Sequence, residues 1–211
     1  MIRVILVDDH VVVRSGVKRL LEEQPDLQVV AEADTGDEAY KLYHQHQPDV
    51  ILMDMNMSGS SGLATLGQIK ARFPEARLIM FTSRTEVVFA VQAIGAGAKG
   101  YVLKSSTTEE VIQAVRQVAA GKSYLSTEVA QAIALQNISA DDDPTRSLTP
   151  REFEIFRLLA EGADIDTIAE TLKIGQKTVA NYQTQLKHKL NIQTPVELVR
   201  LAVKHQIISL Q

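Results

Sequence analysis

Five residues in the first half of the chain stand where short apolar runs end. Asp8 and Asp9 follow Arg3–Val7, Asp54 follows Val50–Met53, Thr82 follows Leu78–Phe81, and Lys104 follows Gly100–Leu103. If the runs are parallel strands, these side chains share the carboxyl edge of one sheet, where open α/β sheets bind ligands. Two carboxylates about 4 Å apart repel by about 4 kcal/mol at an effective dielectric near 20, so a cluster of them needs a cation. Hard oxygen donors suit Mg2+, which keeps several waters and bridges readily to phosphate. Lys104 adds a second, fixed positive charge. The set fits phosphoryl transfer, in which cations neutralise the equatorial oxygens while a carboxylate attacks phosphorus. Asp54 is the candidate nucleophile. It stands alone on its run and precedes a small-residue loop, Ser58-Gly59-Ser60-Ser61-Gly62, with room for a partner's phosphorylated side chain. Any one acid could be a plain strand-end cap; five positions at successive ends argue for a site.

A second patch lies toward the other end. From Thr171 to Val196 there is no acid, while Lys173, Lys177, Lys187 and Lys189 are basic, in a chain of formal net charge −4. Such a stretch either faces a polyanion or is a solvated helix face.

The elements that position these residues follow from periodicity. The apolar runs, with Val29–Glu32 among them, are aliphatic and mostly unalternated, as in strands buried on both faces. Helical patterns separate them, at Val12–Glu23, Asp37–His46, Ala64–Phe73, Val87–Ala96 and Thr108–Ala120. Strand then helix, five times over, predicts an α/β fold with a doubly wound, five-stranded parallel sheet. Gly121 stops the last helix. A short helix is expected over Glu128–Leu135, and Asn137–Ser147, acidic and turn-forming, reads as a linker. After Leu148 the pattern is all helical. Thr149, Pro150 and Glu152 form a capping box, and Phe153, Phe156, Leu159 and Ala160 share a face. Helices over Asp164–Leu172, Lys177–Leu190 and Pro195–His205 follow, with Lys173-Ile174-Gly175 as a tight turn and Val179, Leu186 and Leu190 as core. The predicted units are therefore 1–122, a linker at 123–147, and a small all-α domain at 148–211.

Composition sets limits. The 211 residues, 45% hydrophobic and 23% charged, exclude a disordered or collagen-like chain. There is no cysteine, which excludes disulfides, thiol nucleophiles and Cys-type zinc sites. No apolar run approaches the roughly 20 residues of a membrane span, and the start turns acidic too soon for a signal peptide. A cytoplasmic protein without a membrane partner is the expectation. Low aromatic content argues against stacking-based single-strand binding. Ala120-Gly121-Lys122-Ser123 looks like the end of a phosphate-binding loop, but position 116 is Arg and the segment ends a helix. His10 reads as a loop residue.

Val7-Asp8-Asp9-His10, Leu52-Met53-Asp54-Met55-Asn56-Met57, Phe81-Thr82-Ser83 and Gly100-Tyr101-Val102-Leu103-Lys104 together resemble the receiver domain of two-component response regulators, a flavodoxin-like fold. The resemblance covers 1–122. It implies that Asp54 accepts phosphate from a sensor histidine kinase. It implies that Asp9, Asp54 and the carbonyl of Asn56 bind Mg2+, with Asp8 acting through water. Lys104 would pair with the phosphoryl group, and Thr82 would hydrogen-bond it, with Tyr101 following as the switch. Two positions depart from the family pattern: Ser58 and Ser105 stand where prolines are usual.

Leu148-Thr149-Pro150-Arg151-Glu152, Ile168-Ala169-Glu170-Thr171-Leu172 and Lys177-Thr178-Val179 resemble the LuxR/FixJ-type helix-turn-helix. The whole chain is thus similar to NarL/FixJ-family response regulators. Its tail from Pro195 to His205, with Tyr182, points to the GacA/UvrY branch. The recognition helix would place Lys177, Asn181 and Gln185 on one polar stripe, spaced four residues apart. Asn181 and Gln185 can read adenine, while Thr178, Tyr182 and Lys189 can hold phosphates of promoter DNA. Ala180, Gln183 and Thr184 fill places where relatives often carry basic residues. Val199, Leu201 and Val203 are candidate dimer contacts. The implied partners are the kinase, double-stranded DNA, RNA polymerase and a second copy on activation. Phosphorylation could act by uncovering the recognition helix or by dimerising the receiver. Two other readings stand: a DNA-binding protein with a phosphate-independent receiver, and a Mg2+-dependent phosphohydrolase. Asn56, where a second acid would serve as general acid, argues against the last, and no multiple-turnover enzyme is expected.

Overall fold

The computed structural model describes residues 1–57, 60–138 and 143–208. Ser58 and Gly59 of the small-residue loop, and 139–142 of the expected linker, lie outside the described residues. Six strands form one parallel sheet: β1 (Ile2–Val7), β2 (Leu27–Ala33), β3 (Val50–Asp54), β4 (Leu78–Thr82), β5 (Gly100–Leu103) and β6 (Tyr124–Leu125). Their order is β2-β1-β3-β4-β5-β6. The sheet therefore has a sixth, two-residue edge strand beyond the five expected. Tyr124–Leu125 is too short to show a period of its own and is recruited by Gly100 and Tyr101. β3, β4 and β5 are buried at every position, which is why their sequences do not alternate.

Five helices cover the sheet: α1 (Val11–Glu22), α2 (Gly36–His46), α3 (Gly62–Arg72), α4 (Val87–Gly95) and α5 (Thr108–Ala119). Thr35, Ser61 and Thr107 cap α2, α3 and α5 with side-chain oxygens. One face packs Val4, Leu6, Leu52, Phe81 and Val102 against α1 and α5. The other packs Ile5, Ile51, Met53, Met80 and Tyr101 against α2, α3 and α4.

That second apolar cluster does not stop at the sheet. It continues through Val129 and Leu148 into the C-terminal helices α7 (Pro150–Ala160), α8 (Ile165–Leu172), α9 (Gln176–Lys189) and α10 (Pro195–Lys204). α7 is buried at Phe153, Glu154, Ile155, Phe156, Leu158 and Ala160, more than the single stripe expected. It packs on α3 and α4 as well as on α9 and α10. Phe89 of α4 meets Phe153 edge-on, with ring centroids 5.5 Å apart and planes at 87°.

The stretch read as a linker is largely built structure. α6 spans Thr127–Ile138, longer than expected, and packs on α4. A 3-10 turn follows at Pro144–Ser147, with Thr145 fully buried. The Asp143 carboxylate accepts from Thr145 N (2.9 Å) and Oγ1 (2.6 Å) and faces Nδ1 of His205 at 3.1 Å. Gln92, buried in α4, donates its amide to the carbonyls of Thr145 (3.3 Å) and Leu148 (3.4 Å). Polar composition suggested solvation here, but these groups satisfy one another.

Candidate functional site

The strand ends converge. Asp54 closes β3 and is 3% exposed; Asp8 follows β1 and is 4% exposed. Lys104 follows β5, and its Nζ lies 2.7 Å from Asp8 Oδ2 and 2.9 Å from Asp54 Oδ2. The other Asp54 oxygen accepts the backbone N–H of Asn56 at 3.3 Å. Burial pushes the Asp54 carboxyl above the ordinary carboxylate range, against the pull of Lys104. Burial also opposes the Lys104 charge, but hydrogen bonds to Asp8 and Asp54 outweigh it and hold the ammonium above its usual value.

Asp8, Asp9, His10 and Asp54 each offer a ligand atom within 4.8 Å of one another. Three carboxylates face one ammonium, and apart from the His10 nitrogen the donors are hard oxygens, so the carboxylates fit a divalent cation such as Mg2+. His10, read as a loop residue, is the member the sequence reading missed. Its Nδ1 lies 2.9 Å from Asp9 and 3.2 Å from Asp8. The signal available was adjacency to the acidic pair.

Gly62 explains the loop geometry. A Cβ there would meet the Asp54 carbonyl at 2.3 Å and Met55 Cα at 2.7 Å, so only glycine lets α3 start so close to the strand end. Asn56–Met57 pairs with Ser60–Ser61 in a small antiparallel hairpin, and the hairpin packs against α8.

Thr82 and Tyr101 are both fully buried. The Thr82 hydroxyl accepts from Arg84 N at 3.1 Å, and the Tyr101 hydroxyl donates to Arg84 O at 3.0 Å. The tyrosine ring thus already lies inside, and burial raises its phenol pKa.

In the C-terminal unit, Lys177, Thr178, Asn181 and Gln185 lie exposed on α9, and Tyr182 is half-buried against the core. Val179, Leu186 and Leu190 are buried, as expected of core positions. Lys189 does not stand free for a phosphate: its Nζ pairs with Glu152 of the capping box at 2.7 Å. The receiver-like half packs on α7 and the α8 end, not over the exposed stripe of α9. Lys173, the left-handed residue closing α8, pairs with Asp37 of α2 across the two halves. On α10, Val199 and Val203 are half-buried with Val196, 60% exposed, on the same stripe. Leu201 is half-buried as well, but it lies half a helical turn away from them and packs on the edge of the core cluster.

A parallel sheet with an acid cluster and lysine at its strand ends, joined to a helix-turn-helix, defines a response regulator. Residues 4–116 match the response regulator receiver domain model and residues 146–202 the model of bacterial regulatory proteins of the luxR family. The chain is 38% identical over 207 residues to the response regulator UvrY of Escherichia coli K12, covering 97% of this chain and 95% of that one. It is 38% identical over 210 residues to the response regulator GacA of Pseudomonas aeruginosa PAO1, covering 99% and 98%. In fold it is similar to RcsB of Salmonella enterica serovar Typhimurium, with a TM-score of 0.72, 23% identity, and 96% of this chain covering 98% of that one. The chain belongs to the NarL/FixJ family of response regulators, with a LuxR-type DNA-binding domain. No helix among the described residues is long and apolar enough to cross a membrane.

Proposed function

We propose that this protein is a transcription regulator of the cytoplasm, switched by phosphorylation of Asp54 from a sensor histidine kinase. The observation that carries the reading is the Asp54 carboxylate, buried beside Lys104 among two further acids. In the transfer an Asp54 oxygen forms a bond to phosphorus as the bond from phosphorus to the kinase imidazole breaks, and the imidazole leaves with the electron pair. Lys104 neutralises the phosphoryl oxygens, and the Thr82 hydroxyl turns to donate to one of them. Asp9, Asp54 and the Asn56 carbonyl, with Asp8 through water, would hold Mg2+. When bound, the ion supplies charge neutralisation at the same oxygens. The chain promotes only its own phosphorylation and dephosphorylation and does not turn over a separate substrate.

Because the acyl phosphate replaces a carboxylate, phosphorylation adds roughly one negative charge, together with strong acceptor oxygens beside Thr82. That favours an arrangement in which two copies bind paired half-sites on promoter DNA, engage RNA polymerase, and read bases with Lys177, Asn181 and Gln185. Because the recognition stripe is already exposed, release acts on α7 and α8 rather than by uncovering α9.

The test is incubation with Mg2+ and a phosphodonor. The expected result is an acid-stable, alkali-labile label lost in Asp54→Ala, with tighter promoter binding and a doubled mass. Regulation intact in Asp54→Ala would favour the phosphate-independent receiver instead, and multiple turnover of a small phosphate ester would favour a hydrolase.

A further inference from the structure

Both switch hydroxyls hold one residue. Arg84 donates its backbone N–H to Thr82 Oγ1 and accepts the Tyr101 hydroxyl at its carbonyl, at 3.1 and 3.0 Å. Its guanidinium lies over the Phe89 ring, 4.8 Å from the centroid, and pairs with Glu86 at 3.7 Å. Phe89 is 2% exposed and meets Phe153 of α7 edge-on. Phe153 is itself fully buried in the DNA-binding unit. Each link is a direct contact, and the path runs from the strand ends to the second domain.

We propose that Arg84 is a positioning residue that transmits the state of the Thr82 and Tyr101 hydroxyls to the DNA-binding domain, through its guanidinium on Phe89 and the edge of Phe89 on Phe153. The inference rests on Asp54 being the phosphoacceptor. When Thr82 turns toward a phosphoryl oxygen, the Arg84 N–H loses its acceptor. A half-buried N–H seeks another partner, so the segment carrying Arg84 shifts. The guanidinium moves with it and changes its hold on Phe89. Phe89 and Gln92 stand three residues apart on one face of α4. A displacement at Phe89 therefore also disturbs the amide clamp on the Thr145 and Leu148 carbonyls, and α7 loosens from α4. In this reading the guanidinium seated on Phe89 and a displaced one are the two arrangements that coupling requires.

The experiment uses the full chain as wild type, Arg84→Ala, Arg84→Lys and Phe89→Leu. Beryllofluoride with Mg2+ serves as the phosphoryl mimic. Occupancy is followed by thermal shift and amide exchange is followed over residues 143–160. In the wild type, saturation with the mimic should speed exchange there. Arg84→Ala should saturate within about twofold of the wild-type concentration, yet its exchange response should fall about fivefold, the scale of a lost cation–π contact. Arg84→Lys should recover most of the response, because it returns a cation to the ring, and Phe89→Leu should not. A full wild-type response in Arg84→Ala at saturation overturns the proposal, including when that variant is simply less stable overall. A wild type that binds the mimic without any exchange response overturns it as well. A wild type that never binds the mimic fails earlier, at the reading of Asp54, and is told apart by the absent thermal shift.

Discussion

Nζ of Lys104 stands 2.9 Å from Oδ2 of Asp54, with both side chains largely closed to solvent. One ammonium cannot balance the three carboxylates of Asp8, Asp9 and Asp54 that meet there. Mg2+ should therefore stabilise the chain. At ten times its Kd it adds about 1.4 kcal/mol, which is about 4 °C in Tm for a chain of this size. Asp9→Asn should lose most of that rise. Thermal melts in Mg2+ and in chelator decide the matter, and an equal rise in Asp9→Asn would remove the acid cluster as the cation site.

Acidity should weaken the DNA-binding domain at Glu152. Burial disfavours its charge, but the Lys189 ammonium and the Thr149 amide outweigh burial and hold the carboxyl below its usual 4.5. A carboxyl depressed in the fold contributes stability above its unfolded pKa and loses it as pH falls through the folded value. Glu152→Gln should therefore cost about 1 kcal/mol near pH 7, and the gap should close below pH 4.5. Melting curves of both proteins between neutral pH and the acid range read this directly. The same substitution frees Lys189, so the salt slope of non-specific DNA binding should steepen by about one unit.

Gln92 clamps the segment that joins the halves. Gln92→Ala takes the side-chain donor from the Leu148 carbonyl and leaves Thr145 O only the Leu148 N–H, a cost of about 1–3 kcal/mol for a buried group left unpaired. The expected outcome is a looser chain, seen as a larger hydrodynamic radius, with labelling of Asp54 unchanged. An unchanged radius would mean that apolar contact between α4 and α7 holds the halves together without the amide.

The strand-end site was legible because its members each close a local apolar run, and parallel topology then fixes that they share an edge. Asp8, Asp54 and Lys104 needed no knowledge of distant partners. The contacts between the halves were illegible for the opposite reason. Gln92 reads as one polar position on an apolar helix, and its partners are main-chain carbonyls more than fifty residues away. Asp37 reads as a first-turn acid on α2 and Lys173 as a turn residue; only the fold shows that they pair. Ile155 and Leu158, apolar yet off the expected stripe, were the one sign that α7 has a second packed surface. The same long-range choice paired Lys189 with Glu152 and set Leu201 against the edge of the core cluster.

The half-buried Leu201 and the exposed Val196 should behave differently. Leu201→Ala removes contact with the edge of the core cluster from a half-buried side chain and should cost about 1 kcal/mol, whereas Val196→Ala should stay within about 0.5 kcal/mol. Val196→Asp should leave the monomer folded yet weaken any dimer formed through α10, because it places a charge on the stripe shared with Val199 and Val203. Sedimentation of the phosphorylated or beryllofluoride-bound protein with DNA would show the difference. Full dimerisation in Val196→Asp would move the interface off this face.

Asn181 and Lys177 share the exposed stripe of α9 but differ in chemistry, and that difference separates sequence reading from electrostatic grip. An amide that pairs bidentately with adenine contributes about 1–3 kcal/mol of discrimination. Asn181→Ala should therefore weaken binding to a selected promoter site by roughly tenfold or more, while leaving non-specific binding and its salt slope untouched. Lys177 carries a full charge at the first turn of the helix. If it sits against a phosphate, Lys177→Ala weakens all sequences alike and flattens the slope by about 0.9. If it reaches a guanine edge, the loss is confined to the selected site, as for Asn181. Binding isotherms on selected and random duplexes at several salt concentrations distinguish these outcomes. An Asn181→Ala variant that lost affinity equally on both duplexes would take α9 out of the major groove and make its polar stripe a backbone contact.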